Sequence, residues 1–456
     1  MIVAIYMVLY SPLLINTTPY ADDITRQVWG LNENIPVGRP LIELFADIVH
    51  TNGPVTDLRP TSQIIAILIF AAVGLLVVKR YGQHLPFYAR VAGGALVASP
   101  SFAIGNMAYS FDAPYMAAAL LASVSASIYS EGESKLRYVT VLFLLLISLC
   151  LYQPSISAFI TITAFTAATS KREIGPVFLR CLINASILLI SIIIYIICYK
   201  IFMSPKSASY AAMHSQINII SINSIFKFAL SALHYSSEVY FGGIFKFVCL
   251  ALTAMALIYI LGRNSLSNCV SILCLAVVLV SPFVIQIALL APVFEMRSLY
   301  GFGVVFALLA LSASNRTTAP ISSSIALMML LWGGAMVGAF SSALTIQRDH
   351  ELALISRAMD MVFADADREP IITVSGDAGL VDYAVTVKNK YPQLNQMIYP
   401  ILSNTWLLPA VAERVGYKNI HVGGNALPMI IGKGYQYRVS KSDNRYHINF
   451  VGSATE

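Results

Sequence analysis

The sequence predicts a polytopic α-helical membrane protein that carries a small α/β domain at its C-terminal end. Of the 456 residues, 57% are hydrophobic and only 11% are charged, whereas a soluble protein carries about 25% charged residues. Apolar runs long enough to enter a bilayer recur as far as about residue 345. Beyond that point the charged residues become frequent and the apolar runs shorten.

Eleven apolar runs are candidate membrane spans, because a helix needs about 20 apolar residues to cross the hydrocarbon core. The first run has neither a basic leader nor a small-residue cleavage site, so we expect a retained helix rather than a cleaved signal peptide. A break at Tyr152-Gln153-Pro154 separates the fifth run from the sixth. The runs cover residues 1–18, 63–78, 85–99, 113–130, 138–152, 154–170, 181–202, 241–262, 267–290, 298–314 and 320–345.

The loops between these runs differ in charge. When loops are assigned alternately to the two sides, one side receives most of the basic residues, among them Lys79, Arg80 and Arg90. The positive-inside rule places that side in the cytoplasm. We therefore expect a membrane bundle over 1–345 and an extracytoplasmic cap over 346–456. The outer loops are expected at 19–62, 99–114 and 203–240.

The C-terminal cap has the pattern of an α/β domain. Glu351–Phe363 is expected to be helical, and Pro370–Val374 to form a buried strand. Tyr435–Val439 and Tyr446–Val451 alternate around Ser442-Asp443-Asn444, which predicts a hairpin. The cap contains no phosphate-binding glycine motif, so we expect no nucleotide site there. A further helix is expected at about 405–415 and a strand at 419–422.

Composition also excludes several classes of site. The six cysteines lie mostly inside or beside apolar runs and lack metal-ligand spacing, so we expect neither a disulfide framework nor a metal centre. The net charge of +6 does not indicate nucleic-acid binding, because the basic residues lie in short loops. We expect no cofactor, although two aspartates in the first loop could hold a divalent metal.

Asp22 and Asp23 follow the first span directly, with Arg26 one turn further on. Adjacent carboxylates repel each other, and at the edge of a bilayer they are poorly solvated. Such an arrangement indicates function, although a solvated loop pair is the plain alternative. Adjacent side chains of an extended segment point in opposite directions. We therefore expect only one of the two aspartates to contact a substrate group.

The rest of the first loop contains a short amphipathic pattern after Gly38-Arg39-Pro40. Apolar residues recur there at helical spacing, which predicts a helix suited to the membrane interface. Packing over the bundle is the alternative. The apolar positions are Leu41, Leu44, Phe45, Ile48 and Val49.

Other polar residues lie near span ends. Asp112 is a candidate site-lining acid or an N-cap. Glu295 and Arg297 either neutralise each other or leave Arg297 as a phosphate clamp, since a guanidinium fork suits phosphate oxygens. Tyr109 could anchor a span at the interface.

Tyr152 and Gln153 lie at the mid-bundle break. Gln153 could satisfy backbone groups released by Pro154. The functional alternative is that these side chains, with Tyr109, hold sugar hydroxyls.

An extracytoplasmic enzyme has no access to nucleotide sugars and needs a substrate delivered through the membrane. Lipid-linked sugars meet this need. Glycosyl transfer requires a carboxylate base for the acceptor hydroxyl and cations for the phosphate. Asp22 or Asp23 could be the base, and Arg297, Arg26 or Arg39 the phosphate partner.

Four short motifs match a known family when they are taken in order. They are Tyr20–Arg26, Gly38–Leu41, Asn106–Asp112 and Leu151–Ser155. Over roughly 1–345 the chain resembles the serotype-converting O-antigen glucosyltransferases, the Gtr type II family of the GT-C class. The first helix is shorter than that family's pattern and lacks a cytoplasmic lead.

This resemblance implies a multi-pass protein of the bacterial inner membrane with a periplasmic active site. The implied donor is undecaprenyl-phosphate-glucose, made by a separate enzyme and moved across the bilayer by a small flippase. The implied acceptor is a sugar of the O-antigen of lipopolysaccharide. For the GT-C class, an acidic residue of the first outer loop is the base of an inverting displacement, which corresponds here to Asp22 and Asp23. Asp112 is implied only as a lining residue.

Two other functions are alternatives for a chain of this kind. A transporter or flippase of a lipid-linked sugar should carry ionisable residues near the middle of its spans, and these spans are almost free of them. An O-antigen polymerase is expected to have a large outer loop with several arginines, and 203–240 has none.

Overall fold

The computed structural model describes most of the chain, and its residues form two compact units. The first unit comprises Met1–Ile15, Asn32–Gly53 and Leu58–Val337, and the second comprises Asn16–Leu31, Pro54–Asp57 and Gly338–Glu456. The first part of the expected 203–240 loop and small parts of the 405–415 and 419–422 elements lie outside the described residues. The description covers residues 1–456 except 32–33, 35–36, 133, 135, 171–173, 203–221, 264–267, 289–291, 293, 316, 404–406, 419, 424–426 and 453–456.

The first unit is a helical bundle. Its helices follow the apolar runs because a backbone surrounded by lipid must satisfy its own hydrogen bonds. The helices are α1 Ile2–Ile15, α3 Pro40–Val49, α4 Thr61–Tyr81, α5 Phe87–Ala95, α6 Pro100–Ala108, α7 Ala113–Ser130, α8 Arg137–Leu151, α9 Ile156–Ala168, α10 Ile174–Phe202, α11 Ile222–Tyr235, α12 Phe245–Arg263, α13 Asn268–Val280, α14 Val284–Ala288, α15 Phe302–Ala313 and the first part of α16, Ala319–Asp365. Helix α2 is Asp22–Trp29 and belongs to the second unit.

Seven of the described helices are long and apolar enough to cross a membrane, and the number rises to eight if one bent pair is a single span. The chain is therefore a membrane protein, but the expected eleven spans are not confirmed. The bent pair runs from Phe87 to Ala98 and from Pro100 to Ala108, with an angle of 42° between its halves. Its second half is α6, which lies in the stretch expected to be the 99–114 loop. Every residue of α6 is buried.

Two local predictions in the bundle can be compared with the structure. The predicted break is confirmed, since α8 ends at Leu151 and a 3₁₀ turn follows over Gln153–Ser155. In α3 the apolar stripe points outward, with Ile48 64% exposed, while Ile42 and Ala46 are buried. This exposure suits the membrane interface rather than packing over the bundle.

The second unit contains a five-stranded mixed sheet of order β2-β1-β5-β4-β3. β1 pairs in parallel with both β2 and β5, and the predicted hairpin is confirmed as the antiparallel pair of β4 and β5. The strands are β1 Ile371–Asp377, β2 Ile420–Val422, β3 Met429–Gly434, β4 Tyr437–Ser442 and β5 Arg445–Val451, and the helices besides α2 are the end of α16, α17 Asp382–Lys390 and α18 Leu408–Arg414.

Apolar side chains of this sheet pack against the end of α16. Ile355 and Met359 from the helix join Ile372, Val439 and Ile448 from the strands in one buried cluster. The alternation of apolar residues in β4 and β5 supplies one face of this core. The expected strand at Pro370–Val374 and helix at Glu351–Phe363 are therefore both confirmed.

Candidate functional site

In the first unit, Arg39 and Arg297 each lie over a tyrosine ring. The guanidinium carbon of Arg39 is 4.8 Å from the centroid of the Tyr152 ring, and that of Arg297 is 4.3 Å from the centroid of the Tyr109 ring. A cation over an aromatic face is held by the quadrupole of the ring, and the interaction strengthens as water is removed. Tyr152 also packs on Tyr300, with 5.7 Å between the ring centroids.

Arg297 is positioned by close packing of its backbone. It lies in the 3₁₀ turn Met296–Leu299, where its carbonyl accepts a hydrogen bond of 3.1 Å from Asn106 Nδ2. Gly105 packs against this turn so closely that a Cβ there would lie 2.7 Å from the Arg297 nitrogen. The Arg297 Nε donates to Glu295 over 2.6 Å, so the ion pair that was one of the two alternatives from the sequence is present.

Four charged side chains surround Tyr152. Arg297, Arg39, Glu295 and Asp112 all contribute to its electrostatic environment. Asp112 is only 1% exposed. It occupies the N-cap position of α7, but its side chain makes no capping hydrogen bond. The N-cap interpretation is therefore wrong, because capping requires a hydrogen bond from the side chain to a backbone N–H of the first turn.

Gln153 connects the Tyr152 region to the turn that carries Arg39. Its Nε2 donates to the Gly38 carbonyl over 2.9 Å and to the Tyr195 hydroxyl over 2.7 Å. The Tyr195 hydroxyl donates in turn to the same carbonyl over 2.8 Å. Gln153 thus holds a distant turn, and the expectation that it satisfies backbone groups released by Pro154 is wrong.

Tyr195 is a residue that the sequence did not indicate. It lies within the apolar run of α10, where a tyrosine carries no pattern of its own. Gly38 has a φ of +81°, a conformation that glycine adopts without strain. A Cβ at Gly38 would collide with the Tyr195 hydroxyl, so glycine is required there by both space and conformation.

This cluster combines two fixed cations with two carboxylates at one end of the bundle. The Nε of Arg39 is buried and has no hydrogen-bond partner among the described residues. A bound anion could therefore accept a hydrogen bond from this group. Within the described part of the chain, no three His, Cys, Asp or Glu side chains are grouped to hold a metal ion. Seven of the predicted site residues meet here: Arg39, Tyr109, Asp112, Tyr152, Gln153, Glu295 and Arg297.

The other three predicted residues lie in the second unit, on α2. The segment is a helix from Asp22 to Trp29 rather than the extended loop assumed from the sequence. Both aspartates occupy its first turn, where the helix dipole stabilises negative charge. Asp23 is 3% exposed, and its Oδ1 lies 3.0 Å from Arg26 Nη1.

Asp22 differs from Asp23 in its surroundings. It is half-buried, and among the described residues no donor hydrogen-bonds its carboxylate. The residue before it, Ala21, has φ +46° and ψ −121°, which is unfavourable for an L-residue with a Cβ. Strained backbone of this kind is concentrated at functional sites. Helix α2 therefore carries one ion-paired carboxylate, that of Asp23, next to the Asp22 carboxylate, which forms no ion pair with the described residues.

Helix α2 is fixed within the second unit by apolar packing. Ile24 belongs to a buried cluster with Ile401, Leu407 and Val411. At the end of the helix, Trp29 Nε1 donates to Glu413 Oε2 over 2.7 Å. The first loop thus shares a core with the C-terminal segment.

Similar proteins identify the family of this chain. The chain is 25% identical over 219 residues to a protein of Salmonella phage P22 described as an uncharacterized 55.3 kDa protein in the gtrB 5′ region. That match covers 47% of this chain and 44% of the phage protein, so less than half of the relative's length is matched. No solved structure matches the chain. The sequence profile described as Glucosyl transferase GtrII matches residues 11–308. Because this match spans more than half of the chain, the protein belongs to the GtrII glucosyl transferase family.

Proposed function

We propose that this protein transfers glucose from undecaprenyl-phosphate-glucose to a sugar of the O-antigen at the periplasmic face of the bacterial inner membrane. Membership of the family implies that the protein is a glucosyltransferase. The donor, the acceptor and the side of the membrane are our assignments. The proposed partners are an enzyme that makes the lipid-linked donor and a flippase that moves it across the bilayer.

The observation that carries the proposal is the pair of arginines held over Tyr109 and Tyr152. A phosphodiester between a sugar and a lipid carries a negative charge that increases on the leaving oxygen during transfer. Fixed guanidinium groups stabilise such charge without having to reorganise. The exposed apolar stripe of α3, which begins directly after Arg39, suits the lipid chain of the same donor.

The proposed reaction is an inverting displacement. The acceptor hydroxyl oxygen attacks the anomeric carbon of glucose from the face opposite the phosphate, and the bond between that carbon and the phosphate oxygen breaks. The electron pair leaves with undecaprenyl phosphate, which Arg39 and Arg297 stabilise. The hydroxyl proton moves to a carboxylate base.

We assign the base to Asp22. A general base needs a carboxylate that is free to accept a proton, and Asp23 is already ion-paired with Arg26. In this assignment Asp23 and Arg26 position the first turn of α2, and Asp112 contacts sugar. We propose no metal in the step, and a chelator such as EDTA should leave the transfer rate unchanged.

The test is a transfer assay with the purified full chain, synthetic polyprenyl-phosphate-glucose and O-antigen polysaccharide. We expect one glucose added per acceptor site and the opposite anomeric configuration in the product. Transport is measured in parallel with proteoliposomes that contain the donor on one leaflet only. Movement of the donor between leaflets without glucose transfer would overturn the proposal in favour of a flippase.

A further inference from the structure

A polar cavity lies at the other end of the bundle from the cluster around Tyr152. It has a volume of about 300 Å³ and is enclosed by the ends of α4, α7 and α9 and the beginning of α10. Asp112 and this cavity lie at opposite ends of α7, which has 18 residues and is thus about 27 Å long. The cavity is therefore separate from the cluster around Tyr152.

The carboxylate in this cavity is already neutralised. Glu131 accepts a hydrogen bond of 2.8 Å from Arg80 Nε, one of 3.1 Å from the Tyr81 hydroxyl and one of 3.0 Å from Thr166 Oγ1. The carboxylate thus already accepts hydrogen bonds from three side chains that surround it. Its role is structural, because it joins α4, α7 and α9.

Arg180 supplies the remaining charge of the lining. Among the described residues it has no acidic partner, and the described lining as a whole carries two cations and one anion. The other polar lining groups are mainly hydroxyls, and the Asn184 amide donates to Ser130 Oγ over 3.2 Å. A guanidinium fork surrounded by hydroxyls suits the oxygens of a phosphate group.

The helix that carries Arg180 is exposed along its apolar side. Phe178 is 67% exposed, Leu179 57% and Leu182 53%, and most of the apolar part of α10 is not buried inside the protein. In a membrane-spanning helix these side chains contact acyl chains. The cavity is therefore bordered by a surface that would hold the hydrocarbon part of a lipid.

We propose that this cavity binds the anionic phosphate head group of a membrane phospholipid, with Arg180 as its main ligand. Basic pockets between membrane helices commonly bind such head groups. The inference is independent of the glucosyl transfer proposed above, since none of its residues takes part in that step.

The experiment uses the full chain in detergent and native mass spectrometry with phosphatidylglycerol and phosphatidylcholine of the same acyl chains. We expect the wild type to retain phosphatidylglycerol preferentially, and Arg180→Gln to lower its affinity about tenfold, as the loss of a charge-assisted hydrogen bond predicts. Lys79→Gln is the matched control, because it removes one exposed cation next to Arg80 without touching the cavity. It should bind like the wild type.

Three results would overturn the proposal. The first is equal phosphatidylglycerol binding by Arg180→Gln and Lys79→Gln. The second is no preference between the two lipids in the wild type. The third is displacement of the lipid by millimolar inorganic phosphate, which would make a free phosphate the ligand. If Arg180→Gln does not fold, Arg180→Lys keeps the charge but loses the fork, and binding equal to the wild type would then contradict the assignment.

Discussion

Arg26 and Asp23 form an ion pair one turn apart on α2, with 3.0 Å between Nη1 and Oδ1, while the adjacent Asp22 carboxylate is not part of that pair. The two aspartates are neighbours in sequence but have different environments. Asp23 is a buried structural acid, and Asp22 has the access that a base requires. This difference predicts distinct effects for the two amide substitutions.

Asp22→Asn should lower the transfer rate by about 10²- to 10⁴-fold, the range for loss of a general base, with little effect on unfolding. Asp23→Asn removes the ion pair with Arg26 and should destabilise the second unit by about 1–3 kcal/mol. Single-turnover transfer and thermal unfolding of the full chain measure the two effects. A wild-type rate for Asp22→Asn would reject the assigned base.

Arg297→Gln should raise the donor KM by about tenfold or more, since a hydrogen bond to a charged group contributes about 1.5–3 kcal/mol. Arg137→Gln is the control, because Arg137 also lies over a tyrosine ring, 4.7 Å from the centroid of Tyr138, but begins α8 away from the cluster. The KM is measured by varying the lipid-linked glucose at saturating acceptor. Equal KM values for the two variants would exclude Arg297 from phosphate binding.

Gly38→Ala should displace the turn that carries Arg39 and impair donor binding. The added Cβ collides with the Tyr195 hydroxyl, and a left-handed conformation costs an L-residue about 1–2 kcal/mol. Combining it with Tyr195→Phe removes the collision but not the conformational cost, so we expect partial recovery of the donor KM. Gly175→Ala is the control, since a Cβ there meets nothing within 4 Å. A double variant no better than Gly38→Ala would show that the collision is unimportant.

The second unit should lose stability on mild acidification through His447. Its ring nitrogens form hydrogen bonds with the hydroxyls of Thr373 and Ser375. Burial lowers the pKa of the imidazole below 6.5. The unfolded chain then binds more protons than the folded one, so the contribution of His447 is complete above pH 6.5 and is lost as the pH falls towards the folded pKa.

Thermal unfolding of the full chain at pH 7.5 and 5.5 measures this contribution. The fall in Tm between the two pH values should be smaller for His447→Gln than for the wild type. His421 lies at an exposed position of β2. The Tm of His421→Gln should therefore fall as much between the two pH values as the Tm of the wild type. Identical pH dependence in all three proteins would show that another group is responsible.

Sequence periodicity predicted the elements whose pattern is local. The break at Tyr152–Pro154 and the β4–β5 hairpin follow from proline and from alternation, and both are present. Helix α2 was missed because its eight residues are too few to show an apolar period. α6 was missed because the Ser99-Pro100 start and Gly105 resemble a loop, while its burial depends on long-range packing.

The residues of the candidate site also divide into those that a local sequence pattern indicates and those whose role depends on long-range contacts. Asp112 and Arg297 could be selected because each is a charge directly before an apolar run, and Arg39 because it lies in the Gly38-Arg39-Pro40 turn motif of the first loop. Tyr195 could not be selected, since its role depends on a hydrogen bond to Gly38, 157 positions away. Whether Asp22 or Asp23 is paired also depends on the helix that contains them.

The packing of Ile24 with Ile401 and Leu407 has a consequence for exchanging parts between related enzymes. A chimera that takes only residues 338–456 from a relative would join a foreign C-terminal segment to a native α2 and mismatch the apolar cluster they share. A compatible graft moves residues 16–31, 54–57 and 338–456 together. Acceptor preference in this family should therefore be transferred by three discontinuous stretches if this unit determines it, and a swap of the C-terminus alone would test folding rather than specificity.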